Sequence, residues 1–259
     1  MKADNPAFSA VGRVYGQRAQ EYLSEAHVCV VGIGGVGSWV VEALARSGIG
    51  HLTIIDPDDI STSNINRQIH ADTSTVDLSK VEVMQKRVAL INPECQCSAI
   101  DDMLVTKNIE KYIDNGFGYV VDAMDSIRFK ASLIYFCKRN KIPVITVGGA
   151  GGRSDPGKIQ ISDLTRTWND PLAAKVRQRL RSHHGWSTSV RKRFRVECVY
   201  STEQPRYPTD DGGVSYSKPG VRGVTLDCDN GFGSLVSVTA SFGFVTAARV
   251  MNKLVQSIE

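Results

Sequence analysis

Three side chains set the chemical question: Arg67, Lys80 and Asp125, two cations and a carboxylate downstream of a glycine-rich stretch. Arginine and lysine held over a phosphate chain stabilise the charge that builds on its oxygens, and a nearby carboxylate holds Mg²⁺. A hydride-transfer site has no use for a pair of cations converging on phosphates, which sets this set apart from nicotinamide enzymes. Asn64 and Gln68 stand in the same segment as Arg67 and extend the set. Asp122, three residues before Asp125, is the alternative metal carboxylate, or a helix cap.

The glycine-rich stretch is Val28-Cys-Val-Val-Gly32-Ile-Gly34-Gly35-Val-Gly37-Ser38. An apolar run enters a G-x-G-x-x-G turn, and a helical pattern follows from Trp39, which is the setting a dinucleotide-type fingerprint requires. The glycines let the backbone turn tightly and approach a phosphate, while the helix start presents unpaired N–H groups to an anion. A second apolar strand, His51-Leu-Thr-Ile-Ile, ends in Asp56, about 20 residues after the last glycine, where such folds hold ribose hydroxyls. The nucleotide-binding set is therefore Gly32, Gly34, Gly35, Gly37, Ser38, Asp56, Asn64, Arg67, Gln68 and Lys80.

These residues need a scaffold that brings strand ends together. A short helix spans Arg13 to Ser24. Lys80 to Ile91 carries Val81, Met84, Val88 and Ile91 on one helical face and stops before Pro93. Strands follow at Cys95–Ile100, Tyr119–Asp122 and Pro143–Val147, with helices at Asn108–Asp114 and Arg128–Asn140. This alternation predicts an α/β fold: a Rossmann-like, doubly wound, mostly parallel sheet with helices on both faces. In such a sheet every strand C-terminus faces one crevice, so Gly32–Gly37, Asp56 and Asp122–Asp125 can meet there. Residues 1–152 form this nucleotide core. Residues 153–259 form a C-terminal extension packed on the same domain, with Ile159-Gln-Ile161 as an edge strand, a helix from Pro171 and a mobile loop at 205–222.

Composition sets outer bounds. The 259 residues are 42% hydrophobic and 22% charged, with a net charge of +4, ordinary values for a soluble globular chain. Six cysteines include no C-x-x-C pair, so neither a zinc ribbon nor a disulfide framework is expected. The N-terminus lacks the apolar core of a signal peptide, and a cytoplasmic protein is the expectation. Phe232 to Ala248 has no charge over seventeen residues but is rich in Ser, Thr and small residues. It reads as a helix packed into the core or a dimer interface, with peripheral membrane association as the alternative.

Taken together, Gly32-x-Gly-Gly-Val-Gly-Ser, Asp56, Ser-Asn64-x-x-Arg67-Gln68, Lys80 and Asp-Ala-Met-Asp125-Ser resemble the adenylating enzymes related to ubiquitin-activating, thiamine-biosynthetic and molybdopterin-biosynthetic proteins. Within that family the chain is similar to the branch of bacterial tRNA threonylcarbamoyladenosine dehydratases. The likeness extends through Asn66-Arg-Gln-Ile-His-Ala, Gly148-Gly-Ala-Gly-Gly, Asp170-Pro-Leu-Ala-Ala-Lys, Val196-Glu-Cys-Val-Tyr-Ser-Thr-Glu and Leu226-Asp-Cys-Asp-Asn-Gly-Phe-Gly. The resemblance implies ATP and Mg²⁺, a homodimer, and a tRNA carrying threonylcarbamoyladenosine whose carboxylate is adenylated and then cyclised with release of AMP. It assigns Asp56 to the ribose, Asn64, Arg67 and Lys80 to the phosphates and Asp125 to Mg²⁺. It also brings an arginine from the partner's N-terminal segment, here Arg13 or Arg18, although Gly16 breaks the usual Arg-x-x-Arg spacing. A monovalent cation and cysteine-desulfurase or sulfur-acceptor proteins are further partners that it allows.

The alternative within the family is adenylation of the C-terminus of a small sulfur-carrier protein, which the missing zinc cysteines count against. Cys198 and Cys228 stand in polar sequence as candidate reactive thiols, Cys228 foremost. An NAD-dependent oxidoreductase and a non-enzymatic RNA-binding module are the remaining rivals. Between Arg166 and Arg195 there are nine Lys or Arg and one acid, Asp170. Lys175, Arg177, Arg179, Arg181, Arg191, Lys192 and Arg193 are the expected tRNA contacts, with Trp168, Trp186 and Phe194 interleaved for stacking on unpaired bases.

Overall fold

Val28 to Val31 are buried without a break in strand β1 (His27–Val31), as a strand covered on both faces must be. A computed structural model describes residues 5–189, 191–209, 211–217 and 232–259. The helices α1 (Ser9–Tyr15) and α2 (Gln17–Leu23) precede β1; the expected single helix is broken at Gly16, whose φ of 88° no α-helix accommodates. After β1 come α3 (Gly37–Arg46), β2 (His51–Ile55), α4 (Lys80–Ile91), β3 (Gln96–Ile100), α5 (Ile109–Tyr112), β4 (Tyr119–Asp122), α6 (Ile127–Arg139) and β5 (Val144–Val147). Then follow β6 (Ile159–Asp163), α7 (Pro171–His184), β7 (Glu197–Ser201), a short hairpin of β8 (Tyr207–Pro208) and β9 (Val214–Ser215), and α8 (Val236–Gln256).

Seven strands form one sheet in the order β3-β2-β1-β4-β5-β7-β6, parallel except for the edge strand β6. The mostly parallel α/β architecture expected from the alternation is the one observed. The strand Glu197–Ser201 was not foreseen. Its five residues carry no distinctive local pattern, and it is defined by pairing with β5 on one side and β6 on the other. Residues beyond Gly152 therefore complete the sheet begun by the nucleotide half.

Alternate strand residues point to opposite layers. Val28, Val30, Leu52, Ile54 and Val121 face α3, α4 and α8, while Cys29, Val31, Ile55 and Val120 face α5 and α6. The helix α8 lies directly on α3. At Gly243 an added Cβ would stand 2.5 Å from the Trp39 Cβ, so only glycine permits this approach. The uncharged segment 232–248 is thus spent largely on packing within the chain, and no helix among the described residues is long and apolar enough to cross a membrane. Of the stretch 205–222, expected to be a mobile loop, Tyr207 and Pro208 pair with Ser215 and Val214 as β8 and β9, while residues 210 and 218–222 lie outside the described residues.

Candidate active site

The order of strands reverses between β1 and β4, since β2 and β3 lie to one side of β1 and β5 to the other. Ligands of open α/β sheets bind at such a switch point, outside the carboxyl ends of the strands. Gly32 leaves β1 there with φ 88°, its N–H still donating to the Ile55 carbonyl at 2.8 Å. An added Cβ at Gly32 would lie 2.9 Å from the Ala123 backbone, so the turn after β1 and the loop after β4 are in contact. The glycine fingerprint and the Asp122–Asp125 segment therefore border one crevice.

Asp56 closes the crevice from β2. Its carboxylate accepts the Ile33 N–H at 2.6 Å and the Asp58 N–H at 3.0 Å, and Lys80 Nζ stands 3.9 Å away. Lys80 is itself buried and donates to Asp58 at 2.7 Å. Burial pushes the Asp56 carboxyl above its ordinary range, opposed by Lys80 and the two backbone donors. Arg67 lies along the glycine turn: an added Cβ at Gly35 would meet its Cγ at 3.3 Å and its Cδ at 3.4 Å. The Arg67 guanidinium donates to the Ser63 carbonyl at 2.6 Å and the Asn66 side chain at 3.1 Å, while its own carbonyl accepts from the Trp39 indole at 3.0 Å.

Asn64, expected on phosphates, holds the turn that presents Arg67. Its side-chain oxygen accepts the Ser61 N–H at 3.2 Å, and its carbonyl accepts the N–H groups of Arg67 and Gln68, both at 3.0 Å. Ser38 Oγ, Gln68 Oε1 and both ring nitrogens of His70 are buried without a hydrogen-bond partner. Buried polar atoms are nearly always satisfied, so a hydroxyl and a carbonyl left unpaired around a glycine turn fit the sugar–phosphate of a nucleotide.

His70 also carries a pH signature. Burial, then the charges of Lys80 and Arg87, hold its imidazole at about 4, below the ordinary 6.5. As pH falls from about 6.5 to about 4, the unfolded chain takes up a proton that folded His70 refuses, so stability is lost through that window. The contribution is about 3 kcal/mol. Denaturant titrations across it should show wild type losing that much more than His70→Gln; parallel slopes would exclude the assignment.

At the end of β4, Asp122 is wholly buried and fully used. Lys130 Nζ lies 3.0 Å from its carboxylate, Thr146 donates to it at 2.7 Å, and the Met124 N–H reaches it at 3.4 Å. That leaves Asp125, exposed on the loop between β4 and α6, as the free carboxylate. Among the described residues no three His, Cys, Asp or Glu side chains converge as a metal cage. Mg²⁺ on a nucleotide needs only one or two carboxylates beside the phosphates and water, so Asp125 fits that role. Lys130 was missed at the sequence level, although it occupies the apolar face of α6 with Leu133, Ile134 and Cys137 at i+3, i+4 and i+7. A cation on a core stripe signals a buried partner.

Other expected residues do not converge. Arg13 is exposed on α1, whose Tyr15 hydroxyl donates to Asn252 near the far end of α8. Thr239, near the start of α8, touches the Gly35 side; thirteen helical residues separate the two, about 20 Å. Arg177 and Arg181, expected on a free basic face, are tied inward. Arg177 donates to Thr167 and to the Leu164 carbonyl, and Arg181 lies over the Phe194 ring. Arg179 is half-buried, whereas Lys175, Arg191, Lys192 and Arg193 are exposed. Trp186 and Phe194, expected to meet bases, pack edge-to-face on each other, and Phe194 is buried. Cys198, expected in polar surroundings, is buried on β7, and burial pushes its thiol up, out of the range of a nucleophile. Cys228 lies outside the described residues.

Comparison with known proteins bears on the whole chain. The ThiF family profile matches residues 9–257. The chain is 49% identical over 248 residues to the tRNA threonylcarbamoyladenosine dehydratase of Escherichia coli (strain K12), covering 95% of this chain and 92% of that one. The solved structure of TcdA (CsdL) superposes with a TM-score of 0.91 at 46% identity, covering 100% of this chain and 97% of the other. A crystal structure of the E. coli tRNA N6-threonylcarbamoyladenosine dehydratase, TcdA, in complex with ATP matches with a TM-score of 0.87 at 44% identity, covering 100% and 97%. A family profile spanning nearly every residue, a relative this similar from end to end, and a glycine turn set against Asp56, Arg67 and Lys80 lead to one assignment: the chain belongs to the ThiF family.

Proposed function

We propose that this protein is an ATP-dependent tRNA threonylcarbamoyladenosine dehydratase, which adenylates the carboxylate of the modified nucleoside and cyclises it with release of AMP. The observation that carries the proposal is one glycine turn at the switch point of the sheet with Arg67 lying along Gly35 and Asp56, of the buried Asp56–Lys80 pair, holding the Ile33 N–H. The dehydratase name borne by relatives aligned over more than nine-tenths of this chain supports the substrate. A carboxylate is a poor electrophile and AMP a good leaving group, and the carbamoyl group that attacks is held in the same molecule, which makes the step effectively unimolecular.

In this reading Asp56 binds the ribose hydroxyls, and Gly32, Gly34, Gly35 and Gly37 bring backbone close to the phosphates. Ser38 and Gln68 supply their unpaired polar atoms. Arg67 and Lys80 hold negative charge as the α-phosphorus is transferred, and Asn64 offers its amide N–H₂. Asp125 is the residue that holds Mg²⁺, whose charge assists pyrophosphate as leaving group. A second copy of the chain completes the site with Arg13, which its own nucleotide turn does not receive. The exposed Lys175, Arg191, Lys192 and Arg193 bind tRNA phosphates. The locus is cytoplasmic, where tRNA and ATP are both present.

Incubation of the protein with ATP, Mg²⁺ and modified tRNA is expected to yield AMP and, by mass spectrometry, a nucleoside lighter by one water. A monovalent salt and a cysteine-desulfurase or sulfur-acceptor protein are separate additions to that assay. AMP formed only with a sulfur-carrier protein would replace the reading with carrier adenylation. NADH binding without ATP binding would discard both.

A further inference from the structure

A second cleft opens on the same edge of the sheet, and no residue of the nucleotide set lines it. Its volume is about 390 Å³, and its walls include Trp168, Arg177, Gln204, Pro205, Tyr207 and Tyr216. Trp168 and Tyr216, 54% and 56% exposed, stand on the same lining.

The cleft is built, not incidental. Asp170 caps α7 by accepting the Ala173 N–H at 2.9 Å and also accepts the Gly149 N–H, just past β5, at 3.0 Å. Buried Arg153 donates to the carbonyls of Ser201 at 2.7 Å, Glu203 at 3.1 Å and Asn169 at 3.1 Å. Asn169 is held at φ 52°, a conformation Asn tolerates at some cost, and its side chain donates to the Thr202 carbonyl at 2.9 Å. Two tethers thus fix the backbone beside Trp168. The aromatic is presented to the cleft on a rigid mount.

Placement relates the cleft to the adenylation crevice. Its floor lies past the carboxyl ends of β5 and β7, two strand spacings from the β1–β4 switch point, about 10 Å. A continuous wall joins the two. Asn66, beside Arg67, donates to the Ser234 carbonyl at 3.1 Å, the Gly152 N–H donates to Gly233 at 2.7 Å, and the Arg206 N–H donates to Gly152 at 2.8 Å. A nucleoside whose base occupied the cleft would extend a side chain along this wall toward the phosphates.

We infer that this cleft receives one unpaired purine base of single-stranded RNA, stacked on Trp168 and Tyr216 with Arg177 and Gln204 at its polar edge. This rests on the dehydratase reading for its substrate, a modified adenosine in a loop, which must leave the stack before its carboxylate can approach ATP. Aromatic planes with an arginine are the equipment for an unstacked base. Lys175, next to the cleft-lining Ala174, is exposed.

The test measures binding of a fluorescent stem-loop RNA with an unpaired adenosine in its loop, without ATP, beside steady-state turnover of the modified tRNA. Trp168→Ala should weaken RNA binding about 5- to 100-fold, the range for one lost base–aromatic stack, with Trp168→Phe recovering most of it. The KM for ATP and the melting temperature should stay unchanged, and a fully paired duplex should bind both proteins alike. Unaltered stem-loop affinity in Trp168→Ala and Tyr216→Ala would overturn the assignment while leaving turnover, and hence the dehydratase reading, intact. A raised KM for ATP with unaltered RNA affinity would overturn it in favour of the adenine of ATP. Trp168-dependent stem-loop binding by a protein that converts no tRNA would keep the cleft and sink the dehydratase reading.

Discussion

Arg67→Ala is expected to lower the rate of ATP-dependent AMP release about 10²- to 10³-fold, the loss that follows removal of a preorganised group facing developing charge. Little else should change. The Arg67 side chain is half-buried, and its present bonds go to neutral oxygens of Ser63 and Asn66. A guanidinium carries five donors, so these two bonds orient the group and leave the rest of the fork for phosphate oxygens. The melting temperature should therefore stay near that of wild type, as for most substitutions away from the core. Arg67→Lys keeps the charge but not the planar fork and should recover only part of the rate. Full turnover in Arg67→Ala would remove the observation on which the proposed function stands. Lys80 is a poorer first test. It lies buried beside buried Asp56, so its loss would perturb folding and catalysis together.

The largest effect on stability should come from Lys130→Met. Lys130 is 1% exposed, and its ammonium faces Asp122, which is 0% exposed. Removing one partner of such a pair strands a buried charge, at a cost of about 3–5 kcal/mol, or roughly 10 °C in melting temperature for a chain of this size. The pH dependence separates this cause from simple loss of packing. Burial already pushes the Asp122 carboxyl upward, opposed by Lys130 and by hydrogen bonds from Thr146 and Met124. Without Lys130 the folded-state value rises further above that of the unfolded chain. The folded protein then binds the proton more readily, so the deficit shrinks as pH falls toward about 4 and grows as pH rises. Adding Asp122→Asn should restore much of the lost stability at neutral pH. A deficit independent of pH, or none, would show that the pair does not carry the charge balance described here.

The buried strand that enters Gly32, the acid closing the second strand at Asp56, and the helical face from Lys80 to Ile91 were legible because each is written in consecutive residues or in one short period. The same holds for the parallel alternation up to Val147 and for Pro171 at the start of α7. Local backbone preference and one-sided burial suffice for these. The chain after Gly152 was harder to read. Strand β7 exists only by pairing with β5 and β6, and the basic stretch turned out divided between exposed cations and arginines bonded inward at Thr167 and Phe194. Which polar groups are buried was decided by distant partners: Asp122 by Thr146, Arg153 by Ser201 and Glu203. The amino-acid sequence by itself determined the nucleotide turn and the class of sheet, because short-range sterics and periodicity specify both. Tertiary structure alone decided where a charge is stable without water, because that depends on donors and acceptors brought within about 3 Å from segments tens of residues apart.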